Sequence, residues 1–187
     1  MRENDRVTQQ STGTAQRTRR VGLFAFVAAA VLALDVITKI VVAANLKMGH
    51  DPVSVLGGVF YLDQTRNSGA AFSLGAGFTV LLTVVALAVV AVILRSAGRL
   101  HSAAWACALG LVLGGAAGNL IDRLFREPGF LRGHVVDWIS LFAPNGKYWP
   151  IFNIADAGIV CGAILAALLA VLGIEFDGRS ARHHTSA

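Results

Sequence analysis

Charge is what this chain has least of. Asp, Glu, Lys and Arg make up 14% of its 187 residues, against 55% hydrophobic residues and a mean hydropathy of +0.63. Soluble domains carry about a quarter charged residues. The shortfall excludes an ordinary soluble domain and means that much of the surface faces lipid. Cysteine is nearly absent too. Cys107 and Cys161 both fall in apolar segments, which excludes a disulfide framework or a zinc spacing. Both read as buried small hydrophobes, because a reactive thiol needs a polar, electropositive pocket. No G-x-S-x-G elbow occurs, and Ser68, Ser73 and Ser140 have no obvious base nearby in sequence, which removes a serine hydrolase. His183-His184 sits in a polar tail, and His134, three residues before Asp137, gathers no further ligands. No metal or other cofactor is therefore expected. The net charge of +5 comes largely from arginines in the tails and one short loop. With no basic face interleaved with aromatics, nucleic acid is excluded as a partner.

What the chain does have is four apolar runs, about 21–44, 76–94, 102–124 and 150–173. Each is close to the roughly 20 residues that a membrane-spanning helix needs. The first is too long for a secretory leader's apolar core and lacks a small-residue cleavage site, so it reads as an uncleaved span. Arg2, Arg6, Arg17, Arg19 and Arg20 precede it, Arg95 and Arg99 lie between spans two and three, and Arg179 and Arg182 follow span four. By the positive-inside rule all three groups are cytoplasmic. Both termini are then inside, and the loops at about 45–75 and 125–149 face outward. The expected organisation is a disordered cytoplasmic tail over 1–20, a membrane domain over 21–174 and a second tail over 175–187.

Span three repeats Gly110, Gly114 and Gly118, and span four repeats Gly158, Gly162, Ala166 and Ala170. Such small stripes let helices approach closely in lipid, and packing is their expected role. Four residues beyond Gly118 the first stripe reaches Asp122. In the first outer loop Val53-Ser-Val-Leu alternates weakly and Val59-Phe-Tyr-Leu is β-branched and aromatic, with a turn at Asn67-Ser-Gly69. A small extracytoplasmic sheet is expected there.

Ionisable groups within spans mark functional sites by default. Asp35 and Lys39, spaced i,i+4, predict a structural ion pair, with Lys39 able to snorkel outward. Asn119 and Arg123 share a helix face, and Asp122 sits beside Arg123. An aspartate next to a guanidinium suits anchoring better than proton shuttling. Arg123 itself reads equally as a holder of a substrate carbonyl or lipid phosphate, or as a helix-end charge meeting headgroups. Asp137 has Val135-Val136 before it and Trp138-Ile139 after it, with no adjacent base. Asp156 lies near the start of span four, where Asn153 is placed to cap the helix. Two acids in unlike surroundings can divide the roles of base and acid.

Asn67-Ser-Gly-Ala-Ala-Phe72, Gly118-Asn-Leu-Ile-Asp-Arg123, Val135-Val-Asp137 and Phe152-Asn-Ile-Ala-Asp156 stand in the order found in lipoprotein signal peptidase (signal peptidase II). Leu34-Asp35 with Thr38-Lys39 resembles that family's first-span signature. The resemblance covers about residues 21–173. It implies a mainly α, four-helix aspartyl peptidase of the bacterial inner membrane, with a periplasmic β-cradle and a lid segment. It also implies Asp137 and Asp156 as the catalytic pair, with Asn67, Gly69, Asn119, Asp122, Arg123, Asn153, Asp35 and Lys39 lining or supporting the site. Trp138 replaces a phenylalanine common in the family. The implied reaction removes the signal peptide from diacylglyceryl-modified prolipoproteins, before the lipid-bearing cysteine. Expected partners are those substrates and membrane lipids, and a monomer is the expected state. A proton-coupled transporter would spread ionisable residues through several spans, whereas spans two and four have none in their middles. A purely structural membrane partner would need no acids at the mouth.

Overall fold

A computed structural model describes residues 18–69 and 75–177. The expected tails lie almost wholly outside the described residues, as do Ala70, Ala71 and Phe72 of the quoted motif. Four long helices form where the apolar runs predicted them: α1 (Val21–Asn45), α2 (Gly75–Ser96), α3 (Ala103–Phe125) and α4 (Ile154–Val171). All four are long and apolar enough to cross a membrane.

Helix α3 is the hub. Half of its apolar window is buried, against 11 to 22% in the other three, and it packs against α1, α4 and α2. Its glycines explain why. A Cβ on Gly114 would stand 2.6 Å from the Ala28 carbonyl oxygen of α1, and one on Gly162 of α4 would stand 2.6 Å from the Ala108 oxygen. Gly115, one residue off the expected stripe, presses on the Ala155 carbonyl of α4. Gly110, Gly114 and Gly118 thus seat α1, and Gly115 seats α4. Two adjacent small faces let one helix touch two neighbours backbone to backbone.

One end of the bundle is tied by backbone and indole hydrogen bonds. The Arg20 amide donates to Leu100 O (2.8 Å), the His101 and Ser102 amides donate to Phe176 O (both 2.9 Å), and Trp105 Nε1 donates to Ile174 O (2.7 Å). The start of α1, the α2–α3 turn and the end of α4 therefore share an end, as the arginine distribution requires.

The other end carries a three-stranded antiparallel sheet, order β1 (Val53–Val55), β2 (Phe60–Asn67), β3 (Val135–Leu141). The first two strands were expected; β3, which carries Asp137, was not. Its register on β2 runs Leu62↔Ile139, then Thr65↔Asp137 and Asn67↔Val135, with a bulge between Leu62 and Thr65. Three steps on β2 thus match two on β3. Unbroken alternation from Leu62 would put Arg66 on the face of Asp137 and turn Asn67 away. The extra residue reverses this, because side-chain direction has a period of two. Phe152, just before α4, bridges to Ile139 and fixes the start of α4 beside β3.

The cysteines depart from expectation. Cys107 on α3 is only half-buried, and Cys161 is exposed because α4 turns its larger part outward.

Gly114→Ala is expected to destabilise the protein by about 1–3 kcal/mol, because its Cβ meets rigid backbone. Gly22→Ala, with open space around it, is expected to leave stability unchanged or slightly raised. Thermal unfolding in detergent checks both.

Candidate active site

The sheet end of the bundle holds a continuous polar cluster, built on the first turn of α4. Asn153 is the N-cap: its Oδ1 accepts from the Asp156 amide (2.9 Å), and the Asp156 Oδ2 accepts from the Asn153 amide (3.2 Å). This reciprocal capping box satisfies two otherwise orphan donors. A third, the Ala155 amide, donates to Asp35 Oδ1 of α1 (3.0 Å). With its carbonyl engaged, Asn153 turns its Nδ2 toward Asp137 Oδ1 (2.7 Å).

Asp137 is 1% exposed. Its second oxygen accepts from Asn67 Nδ2 (2.8 Å). Asn67 is oriented by its own turn, because its Oδ1 accepts from the Gly69 amide (2.7 Å). Gly69 has φ +81°, a left-handed conformation that glycine adopts without strain. Asp156 is half-buried, and its Oδ1 accepts from Asn119 Nδ2 (2.7 Å). Asn153 hydrogen-bonds both acidic residues, so a single amide side chain separates their positions. Thr65, Arg66, Asn67, Asp137, Gly146 and Ile151 are among the residues that border an open cavity of about 500 Å³.

Below the acids, Lys39 is 1% exposed. Its Nζ lies 2.8 Å from Asp35 Oδ2 and 2.9 Å from Asp122 Oδ2, and donates to Asn119 Oδ1 (3.0 Å). Asp122 also accepts from the Val136 amide (3.2 Å) and pairs with Arg126. The helix and the strand next to Asp137 are thereby pinned to one ammonium.

Burial, and after it the Asp156 charge, push the pKa of Asp137 up to about 7; the Asn67 and Asn153 amides and the Lys39 charge pull against this without cancelling it. A carboxyl that holds its proton to neutrality beside a second carboxyl can serve as an acid while its neighbour serves as a base.

All ten sequence-predicted site residues fall in or around this cluster, but several partnerships differ. Lys39 does not snorkel outward; two carboxylates and an amide oxygen hold it inside. Asp122 pairs with Lys39 and Arg126, not with Arg123, because consecutive helical residues diverge by about 100° and do not face each other. Arg123 is 9% exposed, and its Nη1 has no hydrogen-bond partner among the described residues. Asp137, apolar-flanked in sequence, is met in space by two amides. His134 does not approach it and lines a different cavity. Sequence reasoning missed Arg126, although its i,i+4 spacing from Asp122 was a usable signal. The strand pattern of Val135–Leu141 was another.

A membrane-spanning helical bundle carrying a small sheet, with two acids at their junction, defines a class of membrane enzyme. Two solved structures share the fold. One, a bacterial membrane enzyme determined by the in meso method at 1.9 Å resolution, aligns with TM-score 0.72 and 27% identity over 83% of this chain and 96% of its own. The other, determined by the same method at 2.3 Å, aligns with TM-score 0.73 and 24% identity over 91% and 97%. Residues 27–172 match the family signal peptidase (SPase) II. The lipoprotein signal peptidase of Rhodococcus jostii (strain RHA1) is 51% identical over 160 residues, 86% of this chain and 77% of that protein. That of Mycobacterium tuberculosis (strain ATCC 25618 / H37Rv) is 47% identical over 165 residues, 88% and 79%. The chain belongs to the signal peptidase II family, and is a multi-pass membrane peptidase.

Two outcomes follow from this geometry. The folded state keeps the Asp137 proton to about pH 7, whereas the ordinary carboxylate value is 3.8. The folded state thus binds more protons between those values, and stability falls as pH rises from about 4 to about 7, then levels. Asp137→Asn removes this contribution. Its stability relative to the parent should therefore rise by up to about 4 kcal/mol across that window in thermal unfolding. Lys39→Met leaves the buried Asp35 without its cation and Asp122 with Arg126 alone, and should lower stability by about 3–5 kcal/mol, measured in the same way.

Proposed function

We propose that this peptidase removes the signal peptide from diacylglyceryl-modified prolipoproteins, cutting just before the lipid-bearing cysteine by aspartate-activated water. The observation that carries the reading is Asp137, a dry carboxyl with its pKa near 7, one asparagine away from the more open Asp156. Water held between the two loses a proton to the ionised carboxylate as it attacks the scissile carbonyl. The protonated partner polarises that carbonyl and then protonates the departing amine. The proton is shared by a coupled pair, so its apparent pKa values belong to both acids. No covalent intermediate is required.

Asn67 and Asn153 hold Asp137 in place, and Asn119 with the capping box holds Asp156. Lys39, Asp35 and Asp122 keep this frame rigid. Arg123, buried with one amino group unpartnered among the described residues, is the candidate to hold a substrate carbonyl or a lipid phosphate. Acyl chains lying between helices would bring the scissile bond to the aqueous boundary, where their binding energy becomes orientation. The cavity opens at the end away from the arginine-rich turn, which supports an active site at the outer face of the bacterial cytoplasmic membrane. One chain supplies every member of the cluster, so a monomer suffices.

Cleavage of a lipid-modified prolipoprotein peptide by the purified protein tests this. Asp137→Asn and Asp156→Asn should each lower turnover by about 10²–10⁴-fold or more while the protein stays folded. The double variant should be little worse than either single one, as members of one unit are not additive. Retained turnover in either single variant would count decisively against the pair.

A further inference from the structure

The bulge that turns Asn67 toward Asp137 turns Arg66 the other way. There Arg66, Arg126, Glu127 and His134, with Met48 and Phe125, line a cavity of about 570 Å³ that Asp137 does not border, although Arg66 also borders the cavity beside Asp137. Its cationic side is unsatisfied. Arg66 is half-buried and has no ion-pair partner among the described residues. Arg126 commits its Nε to Asp122, leaving its terminal amino groups for another anion. Burial and the neighbouring Arg126 charge both push the Arg66 pKa down from its ordinary value, against a smaller opposing pull from Asp122. Both are costs that a bound anion offsets. Glu127 is the only acid among the described lining residues, and its charge opposes an anion there.

The rim is apolar. Phe125 is 79% exposed and Met48 is 59% exposed. Both stand at the sheet end of the bundle, just where α3 and α1 finish. In a membrane-spanning chain that level is the junction of hydrocarbon and headgroups. A site for a small aqueous anion would not need such a rim, whereas a lipid brings both halves: phosphate for the guanidinium groups and acyl chains for Phe125 and Met48.

We propose that this cavity binds the headgroup phosphate of an anionic phospholipid, held by Arg66 and Arg126. The inference rests on charge, cavity and position, and stands independently of the cleavage reaction. Guanidinium groups suit this task because their planar donors meet phosphate oxygens in pairs. Occupancy also has a route to the acids. Arg126 shares Asp122 with Lys39 and with the Val136 amide, so a lipid on Arg126 braces the strand carrying Asp137.

The test uses the full chain in neutral detergent, with native mass spectrometry for lipid retention and thermal unfolding for stability. The probes are dioleoylphosphatidylglycerol, dioleoylphosphatidylcholine and inorganic phosphate. Phosphatidylglycerol should be retained in preference to phosphatidylcholine and should raise Tm more. Arg66→Gln should reduce that preference about fivefold, near the value of one basic residue at a charged lipid surface. Arg66→Lys should keep part of it, and Glu127→Gln should strengthen it. Equal retention of the two lipids, an unchanged preference in Arg66→Gln, or equal stabilisation by inorganic phosphate overturns the proposal. Should Arg66→Gln fail to fold, Glu127→Gln decides: no gain in retention also overturns it.

Discussion

An ammonium group cannot sit in a membrane-protein interior alone, and the placement of Lys39 follows from that constraint. Desolvating it costs several kcal/mol, which only close opposite charges and good hydrogen bonds repay. Asp35, Asp122 and the Asn119 oxygen meet the requirement together. Each ties the ammonium to a different part of the fold. Asp35 reaches the first turn of α4 through Ala155, and Asp122 reaches β3 through Val136. Asn119 reaches Asp156. Two helices and the strand are thus oriented by one charge, and the acids inherit their geometry from it.

The two acids are not equivalent, and the difference comes from the elements that carry them. Asp137 lies on β3 of the sheet and is nearly dry, with an amide on each oxygen. Asp156 lies in the first turn of a helix, is half-buried, and is occupied by capping. Because Asn153 serves both, any shift of the α4 terminus moves both carboxyls together. A network in which every member is engaged has few alternative arrangements, and rigidity of this kind suits positions that must orient a water molecule.

One inserted residue in β2 gives the sheet two chemistries. It brings an asparagine to the acid on one face and sets an arginine between the acid's cavity and an apolar-rimmed one. The same strand then serves both the peptidase site and the cavity bordered by Arg66 and Arg126. The two are joined by Asp122, which holds Lys39 with one oxygen and Arg126 with the other.

The amino-acid sequence alone determined the four spans, their common-end topology, the close-packing glycines of α3 and α4 (though Ala170 of the predicted stripe is exposed), the Asp35–Lys39 pair and the Asn153 cap. These depend on local spacing and hydropathy, which are legible at a range of a few residues. It also marked Asp137 and Asp156 as acids needing explanation, by their setting and through the resemblance. Only the tertiary structure decided what each charge meets. It turned Lys39 inward, separated Asp122 from Arg123 around the helix, gave Asp137 its two amides and moved His134 away from it. Those outcomes rest on the β2 bulge, on the pairing of strands 70 residues apart and on a bond between residues 120 apart. Contacts across such distances are set by which backbones can approach, and no local pattern records them.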